Sequence, residues 1–380
     1  MSKLILKNCR LNGNVSDLVV IDGKIAKIGN CPENGIDMNG KKIYPGLFDI
    51  HAHGICGYDT MDGAQQIAKM SYELAKRGTT SWLPTTMTVD FEKIRKTVNN
   101  LPDTKGSNLI GFHMEGPYIS EKYKGAQNKE YIKAPKLTEF STLENIKMVT
   151  LAPELCGSDE FIKKCTSVVS IGHTECDYNT ACNAINSGAK CLTHTFNAMP
   201  PLHHRNPGPI GAAIDKNIYV QVICDGLHIH PSVIRILYRL FGKERMILIS
   251  DSMRATCLSD GEYEFGGQTI TVTNGVARTS EGAIAGSTST LIQCVKKAIE
   301  FGISEEDAFY MASRTPAVLM GENKGLIKEG FDADLISVDD NLNIDKVIIN
   351  GELFEYRSLC LSKTLCKVML LRAPLKIPAI

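Results

Sequence analysis

Two histidines one residue apart, His51 and His53, close the segment PGLFDIHAHG at residues 45–54. Leu47, Phe48 and Ile50 ahead of them mark a short buried strand opened by Pro45-Gly46. Side chains two apart on a strand point the same way, so this pair presents two imidazoles side by side, next to small Ala52 and Gly54. Neutral imidazole is a common ligand of zinc and similar ions. One His-x-His is a weak signal, because two polar residues at a strand end are commonplace. The residues downstream strengthen it.

Between residues 46 and 324 short apolar runs alternate with helical stretches. The runs cover 47–50, 81–84, 109–112, 148–151, 168–171, 190–192, 219–223 and 246–249, and the stretch 65–77 reads as a helix closed by Gly78. Eight strands alternating with helices predict a (β/α)8 TIM-type barrel, whose site lies at the carboxyl ends of the strands. The polar residues at those ends are His51 and His53, then His113 and Glu115, His173, His194 with Asn197, Asp225 with His228, and Asp251. Seven of the nine histidines fall at or just past strand ends; His203 and His204 sit in a loop.

These types suit metal-assisted hydrolysis. A divalent ion wants three or four N/O ligands and an open position, and two ions need a shared carboxylate. Glu115 can bridge, His173 and His194 can hold one ion with it, and His51 and His53 a second. Asp251 can take a proton from the attacking water and pass it to a leaving amine. His113 reads as a hydrogen-bonding neighbour of the ligands, Asp225 as a loop orienter and Trp82 as packing.

The chain ends read as β. Residues 18–28 form a hairpin around Asp22-Gly23, and residues 346–356 another around Asn350-Gly351. The two flanks, 1–45 and 325–357, are expected to pair into one small β-sandwich domain. Ser304, followed by Glu305, Glu306 and Asp307, predicts a helix start. The tail 358–380 carries Lys363, Lys367, Arg372 and Lys376 and no acid. It is read as a poorly ordered tail, the alternative being a basic amphipathic helix for a partner or membrane surface.

Hydrophobic residues make 43% and charged residues 22% of the 380, and 42 basic residues balance 42 acidic ones. That balance argues against nucleic acid as a partner. No apolar run approaches a membrane span, and MSKLILKNCR leads straight into a strand pattern rather than a leader. Thirteen scattered cysteines without a C-x-x-C pair fit reduced thiols in a cytoplasm, most of them small core residues.

Taken together the motifs resemble the N-acetylglucosamine-6-phosphate deacetylases of the amidohydrolase superfamily. They are PGLFDIHAHG (45–54), HMEGPYIS (113–120), IGHT (171–174), THTFNAMP (193–200), CDGLHIHP (224–231), SDSM (250–253) and AGSTSTL (285–291). The resemblance covers roughly residues 1–356 and implies hydrolysis of an N-acetylated amino sugar 6-phosphate to acetate and the free amine. It implies Glu115, His173 and His194 as principal metal ligands and His51 and His53 as ligands of a second ion that some members lack. Asp251 becomes the catalytic acid and base, and Asn197, Ala198, Arg205 and His228 become substrate contacts, the last two on the phosphate. The cofactor is one or two divalent ions per subunit, zinc first, with iron, manganese or cobalt as alternatives. The resemblance also implies a homodimer whose interface completes the phosphate site. One departure is Gln127 after Lys124-Gly125-Ala126, where the family usually has His; glutamine at this substrate-facing position donates a hydrogen bond but carries no charge. The rivals are the galactosamine epimer's deacetylase, another amidohydrolase, and a catalytically dead metal-binding scaffold.

Overall fold

The computed structural model describes residues 1–355. The eight expected strands are present and parallel. Leu47–Ala52 pairs with Thr79–Pro84. Phe112–Glu115 begins a run that continues through Ile146–Leu151, Val168–Ile171, Cys191–Leu192, Tyr219–Ile223 and Met246–Ile249. Parallel bridges Thr85–His113 and Ala52–Ser252 join the two sheets at both seams. At the second seam Asp251 N–H donates to His51 O at 2.9 Å and His53 N–H to Ser252 O at 2.8 Å. The ring therefore closes between the first and eighth strands, and no barrel strand is left with an open edge.

Strands of such a ring are covered on both faces, so they read as continuous apolar runs. Phe48, Ile50, Leu83, Met148, Cys191, Ile223, Ile247 and Ile249, from strands round the ring, pack into one interior cluster. Ala317 and Leu319, from the helix Arg314–Met320, join it and plug the end away from the histidines. Outward residues such as Leu47, Trp82, Val149, Ile171, Val220 and Leu248 pack into a second, larger cluster that includes the helices.

Two expectations shift. The third strand is Phe112–Glu115 rather than 109–112, because Gly111, at φ +148°, breaks the run after the short Asn108–Leu109 pairing. The helix after the first strand is Ala64–Ala75, ending two residues earlier than expected; Gly78, at φ +82°, forms the turn that follows. In the first strand the expected pairing of His51 and His53 holds, but by a different backbone route. Phe48 and Ile50 face the interior, so strict alternation would send His51 and His53 outward. The register against the second strand slips between Asp49 and Ala52, and this irregularity turns both imidazoles inward. Asp49 Oδ1 supports it by accepting from the N–H groups of His51 and Ser250, each at 3.3 Å. Burial pushes that carboxyl up to about 6.

Both chain ends enter one sheet of order Glu352–Leu353, Ile344–Ile349, Leu335–Val338, Lys42–Pro45, Lys3–Leu11, Asn14–Ile21, Lys24–Ile28. Leu335–Val338 lies antiparallel to Lys42–Pro45. Both predicted hairpin turns form, with Asp22-Gly23 and Asn350-Gly351 all at positive φ. Ser304 caps the helix Glu305–Met311 by accepting from Asp307 N–H. A three-stranded antiparallel sheet, Gly261–Phe265, Gln268–Thr273 and Val276–Thr279, follows the eighth strand and was not anticipated. The basic tail 358–380 lies outside the described residues.

Candidate metal centre and active site

The strand ends converge on one point. His51 Nε2 lies 3.2 Å from His53 Nε2, and His173 Nε2 lies 3.1 Å from His194 Nε2. Glu115 stands between the pairs. Its Oε1 is 3.3 Å from His51, 3.3 Å from His173 and 3.0 Å from His194, while Oε2 is 3.3 Å from His53. Asp251 Oδ1 is 3.3 Å from both His51 and His53. His51-His53-Glu115 and Glu115-His173-His194 thus form two buried groups able to hold a metal ion, sharing one carboxylate.

The tautomers say what belongs between them. His51 Nδ1 faces Gln221 Oε1 at 3.0 Å, His53 Nδ1 faces the Thr85 carbonyl at 3.2 Å, and His173 Nδ1 faces the Tyr123 carbonyl at 2.8 Å. Each partner only accepts, so each Nδ1 carries the hydrogen and, in the neutral ring, each Nε2 keeps its lone pair. Buried lone pairs aimed at one another are repulsive unless a cation lies between them. Two ligands about 2.1 Å from one ion at a tetrahedral angle stand roughly 3.4 Å apart, close to the spacings found. The residues fit a divalent ion.

Without an ion, protons must neutralise the acids. Burial disfavours charge on His53, but Asp251 and Glu115 outweigh it and push this imidazole up to about 10. Burial also works against ionised Glu115 and Asp251, yet the surrounding imidazoles hold both below the ordinary carboxylate range. His113 differs. Burial and its neighbour His51 hold it well below the usual imidazole range, hence neutral. Its Nε2 bonds Thr150 Oγ1 at 2.7 Å and its Nδ1 the Ile50 carbonyl at 3.1 Å, so both ring nitrogens are taken up by neighbours and neither belongs to the two metal-competent groups.

Backbone strain marks the same rim. His173, His194, Ala198 and Asp251 have φ of +47°, +25°, +49° and +48°, a region non-glycine residues rarely occupy and one enriched at functional sites.

An open cavity of about 420 Å³ sits over the centre, lined by His53, Glu115, Gln127, His173, His194, Asn197, Ala198, His228 and Asp251 among others, a size usual for small-molecule sites. His228 is held by Asp225, Nδ1 to Oδ2 at 2.7 Å, and its ring faces the cavity. Gln127 is buried; its Oε1 accepts from Thr88 N–H and its Nε2 donates to Glu115 Oε2, both at 2.7 Å. It touches the shared carboxylate as well as the cavity. Arg205 is exposed and lies outside the cavity lining.

Sequence reasoning missed several supports. Gln221 is the one polar residue in the run YVQVI, a signal that could have been read. The Thr85 and Tyr123 carbonyls carry no side-chain signal. Phe265, Ile284 and Gly286 reach the cavity from the unexpected sheet and the loop after it.

The amidohydrolase family model matches residues 43–354. The chain belongs to the amidohydrolase family. Within the family it is 38% identical over 332 residues to the N-acetylglucosamine-6-phosphate deacetylase of Bacillus subtilis (strain 168), covering 82% of this chain and 84% of the relative. It is 32% identical over 357 residues to the N-acetylgalactosamine-6-phosphate deacetylase of Escherichia coli O157:H7, covering 89% and 94%. The N-acetylglucosamine-6-phosphate deacetylase structure from Thermotoga maritima superposes with a TM-score of 0.85 at 31% identity, over 93% of this chain and all of that one. A mutant of the Mycobacterium smegmatis enzyme, in complex with N-acetyl-D-glucosamine-6-phosphate, gives 0.86 at 28% identity over 93% of this chain and all of that one. Among the described residues no helix is long and apolar enough to cross a membrane.

Proposed function

We propose that this family member hydrolyses the acetamide of N-acetyl-D-glucosamine 6-phosphate, giving D-glucosamine 6-phosphate and acetate. The observation that carries the reading is the facing of the histidine lone pairs across Glu115 and Asp251 on the floor of a cavity of ligand size.

His51, His53, Glu115, His173 and His194 would hold one or two divalent ions, zinc first among zinc, iron, manganese and cobalt. Such ions supply Lewis-acid chemistry, polarising an amide carbonyl and making water a stronger nucleophile near neutral pH. The chain supplies the rest. Asp251, kept ionised by the imidazoles, accepts the proton of the attacking water and delivers it to the departing amine nitrogen. Gln127 fixes the rotation of Glu115. Asn197 and the Ala198 backbone position the sugar. Fixed by Asp225, His228 offers Nε2 to the phosphate.

Arg205 has no ion pair among the described residues and lies outside its own chain's cavity, which supports a homodimer in which it reaches the neighbour's phosphate as a bidentate donor. A cytoplasmic location fits this phosphorylated substrate. The terminal sheet is read as a β-sandwich domain of residues 1–45 and 325–357, beside a barrel of 46–324.

The likeness to the Escherichia coli relative favours a second reading, the galactosamine epimer. Acetate release measured on both sugar phosphates, with metal content of the purified protein, tests the proposal. Turnover of the glucosamine substrate at a higher kcat/KM supports it. Preference for the epimer selects the second reading, and no acetate from either substrate rejects both.

A further inference from the structure

Cys56 and Cys257 are used by none of the chemistry above, and each has an unusual setting. Both are non-glycine residues in the left-handed region, at φ +53° and +69°. Cys56 lies in the loop three residues after His53, Cys257 in the loop six residues after Asp251. The loops are tied across the seam where the barrel closes: Cys56 N–H donates to Thr256 O and Gly57 N–H to Arg254 O, each at 2.9 Å. The first bond puts Cys56 against the peptide that leads into Cys257, and both sulfurs lie against one Glu73–Arg77 ion pair.

Charge distinguishes the two sulfurs. Arg77 Nε donates to Cys257 Sγ at 3.1 Å, while Cys56 Sγ approaches Glu73 Oε2 at 3.6 Å. Glu73 in turn accepts from Arg77 Nη1 at 2.7 Å, which anchors the guanidinium. The neighbouring Cys56 thiol lowers the Cys257 thiol below its ordinary value, burial opposes it, and Arg77 adds to the lowering; Cys56 is pushed the other way, first by its neighbour Cys257. A thiol beside a cation, with a second thiol on the same ion pair, is the arrangement of an attacking and a resolving cysteine. Cys257 is exposed and Cys56 partly so, whereas Cys9, Cys31, Cys176, Cys191, Cys224 and Cys294 are buried.

We propose that Cys56 and Cys257 form a peroxide-oxidisable pair whose disulfide staples the loop after His53 to the loop after Asp251. The Cys257 thiolate attacks one oxygen of hydrogen peroxide; the O–O bond breaks and hydroxide leaves, giving a sulfenic acid. Cys56 then loses its proton and attacks that sulfur; the S–S bond forms, the S–O bond breaks, and hydroxide takes up the proton as water. Two thiols lose two electrons and one peroxide becomes two waters. Because the loops are already tied, bridging needs little movement. It links residues about 200 positions apart in sequence, where constraint of the unfolded chain is large. The disulfide is therefore a lock on the metal-bearing seam that leaves turnover in place.

The test treats full-length, metal-loaded protein with stoichiometric hydrogen peroxide, alkylates the remaining thiols, and maps linkages by non-reducing digestion and mass spectrometry. The expected result is a peptide pair joining Cys56 to Cys257, with a raised Tm that a thiol reductant reverses and with kcat unchanged. In Cys56→Ser the bridge is absent and dimedone traps a sulfenic acid at Cys257. In Cys257→Ser no bridge forms and Cys56 stays unmodified. Cys156, free and exposed, is the internal control. Oxidation at Cys156 as fast as at Cys257 with no bridge would overturn the proposal, as would a bridge that leaves Tm unmoved or expels the metal.

Discussion

Gln221 fixes the tautomer of His51, one of the histidines proposed to hold metal, and replacing it with leucine measures what that is worth. Gln221 is completely buried. Its Oε1 accepts from His51 Nδ1 at 3.0 Å and from His194 N–H at 3.4 Å, and its Nε2 meets Met148 Sδ at 3.6 Å. Leucine has similar bulk and suits the apolar interior cluster, so the barrel should fold. The acceptor for His51 Nδ1–H disappears. The ring then keeps a buried unsatisfied N–H, at a cost of about 1–3 kcal/mol, or moves its proton to Nε2, where the cation belongs. Either way the penalty falls on the ion-bound state. Loss of such an outer hydrogen bond lowers metal affinity by about 10–100-fold, or about 1.4–2.7 kcal/mol. Competition with a graded series of chelators, read by metal analysis, gives the affinity directly. Ion content at the His51–His53 group should fall first, and added metal should restore turnover. Chelator curves identical to those of the unsubstituted protein would refute the tautomer argument.

Asp251→Asn should retain metal but lose about 10²–10⁴-fold in kcat; unchanged turnover, measured as acetate release, would remove Asp251 from proton transfer. Arg205→Ala should raise KM for the phosphorylated sugar with little change in kcat, and an unaltered KM counts against the phosphate contact. Metal uptake should be proton-linked. In the ion-free centre burial opposes charge on His53, but Asp251 and Glu115 push it up to about 10, so at neutral pH this imidazole holds a proton that the ion must displace. Affinity then rises with pH and falls on acidification; a chelator titration at pH 6, 7 and 8 showing no trend would contradict this. Asp17 gives a separate acid limit. The hydrogen bond from Lys7 at 2.6 Å and those from the Cys31 and Asn8 N–H groups at 2.9 and 3.0 Å lower it to about 2. Its folded value lies below the unfolded one, so its contribution is complete above about pH 4 and disappears as pH falls towards 2. Asp17→Asn should lower Tm at pH 7 and narrow the gap to the parent near pH 2, as thermal unfolding across pH would show.

Much of the fold was written in local pattern. Apolar runs of strand length, Asp-Gly and Asn-Gly turns and the Ser304 cap are short-range signals, and the eight strands, both hairpins and that helix start all appear. Boundaries moved where one residue governs the backbone, as Gly111 does for the third strand. The sheet Gly261–Phe265, Gln268–Thr273, Val276–Thr279 went unseen because it interrupts the alternation that revealed the barrel. For the site, residue type was legible wherever chemistry is rare. Imidazoles and acids at the strand ends could be listed from the chain alone, and Glu115, His51, His53, His173, His194 and Asp251 do meet.

What the amino-acid order determined by itself was which groups are available and how far apart they lie along the chain. Only the three-dimensional fold decided which way they face. Alternation would have turned His51 and His53 away from the interior, and the slip at Asp49 reverses that. Backbone carbonyls of Thr85 and Tyr123 choose the tautomers, and every residue has such a carbonyl, so no sequence pattern marks these two. Cys56 and Cys257 become neighbours only because a parallel ring must close its first strand against its eighth. Periodicity reports a residue's local geometry, whereas the partner across a seam is set by closure of the whole barrel.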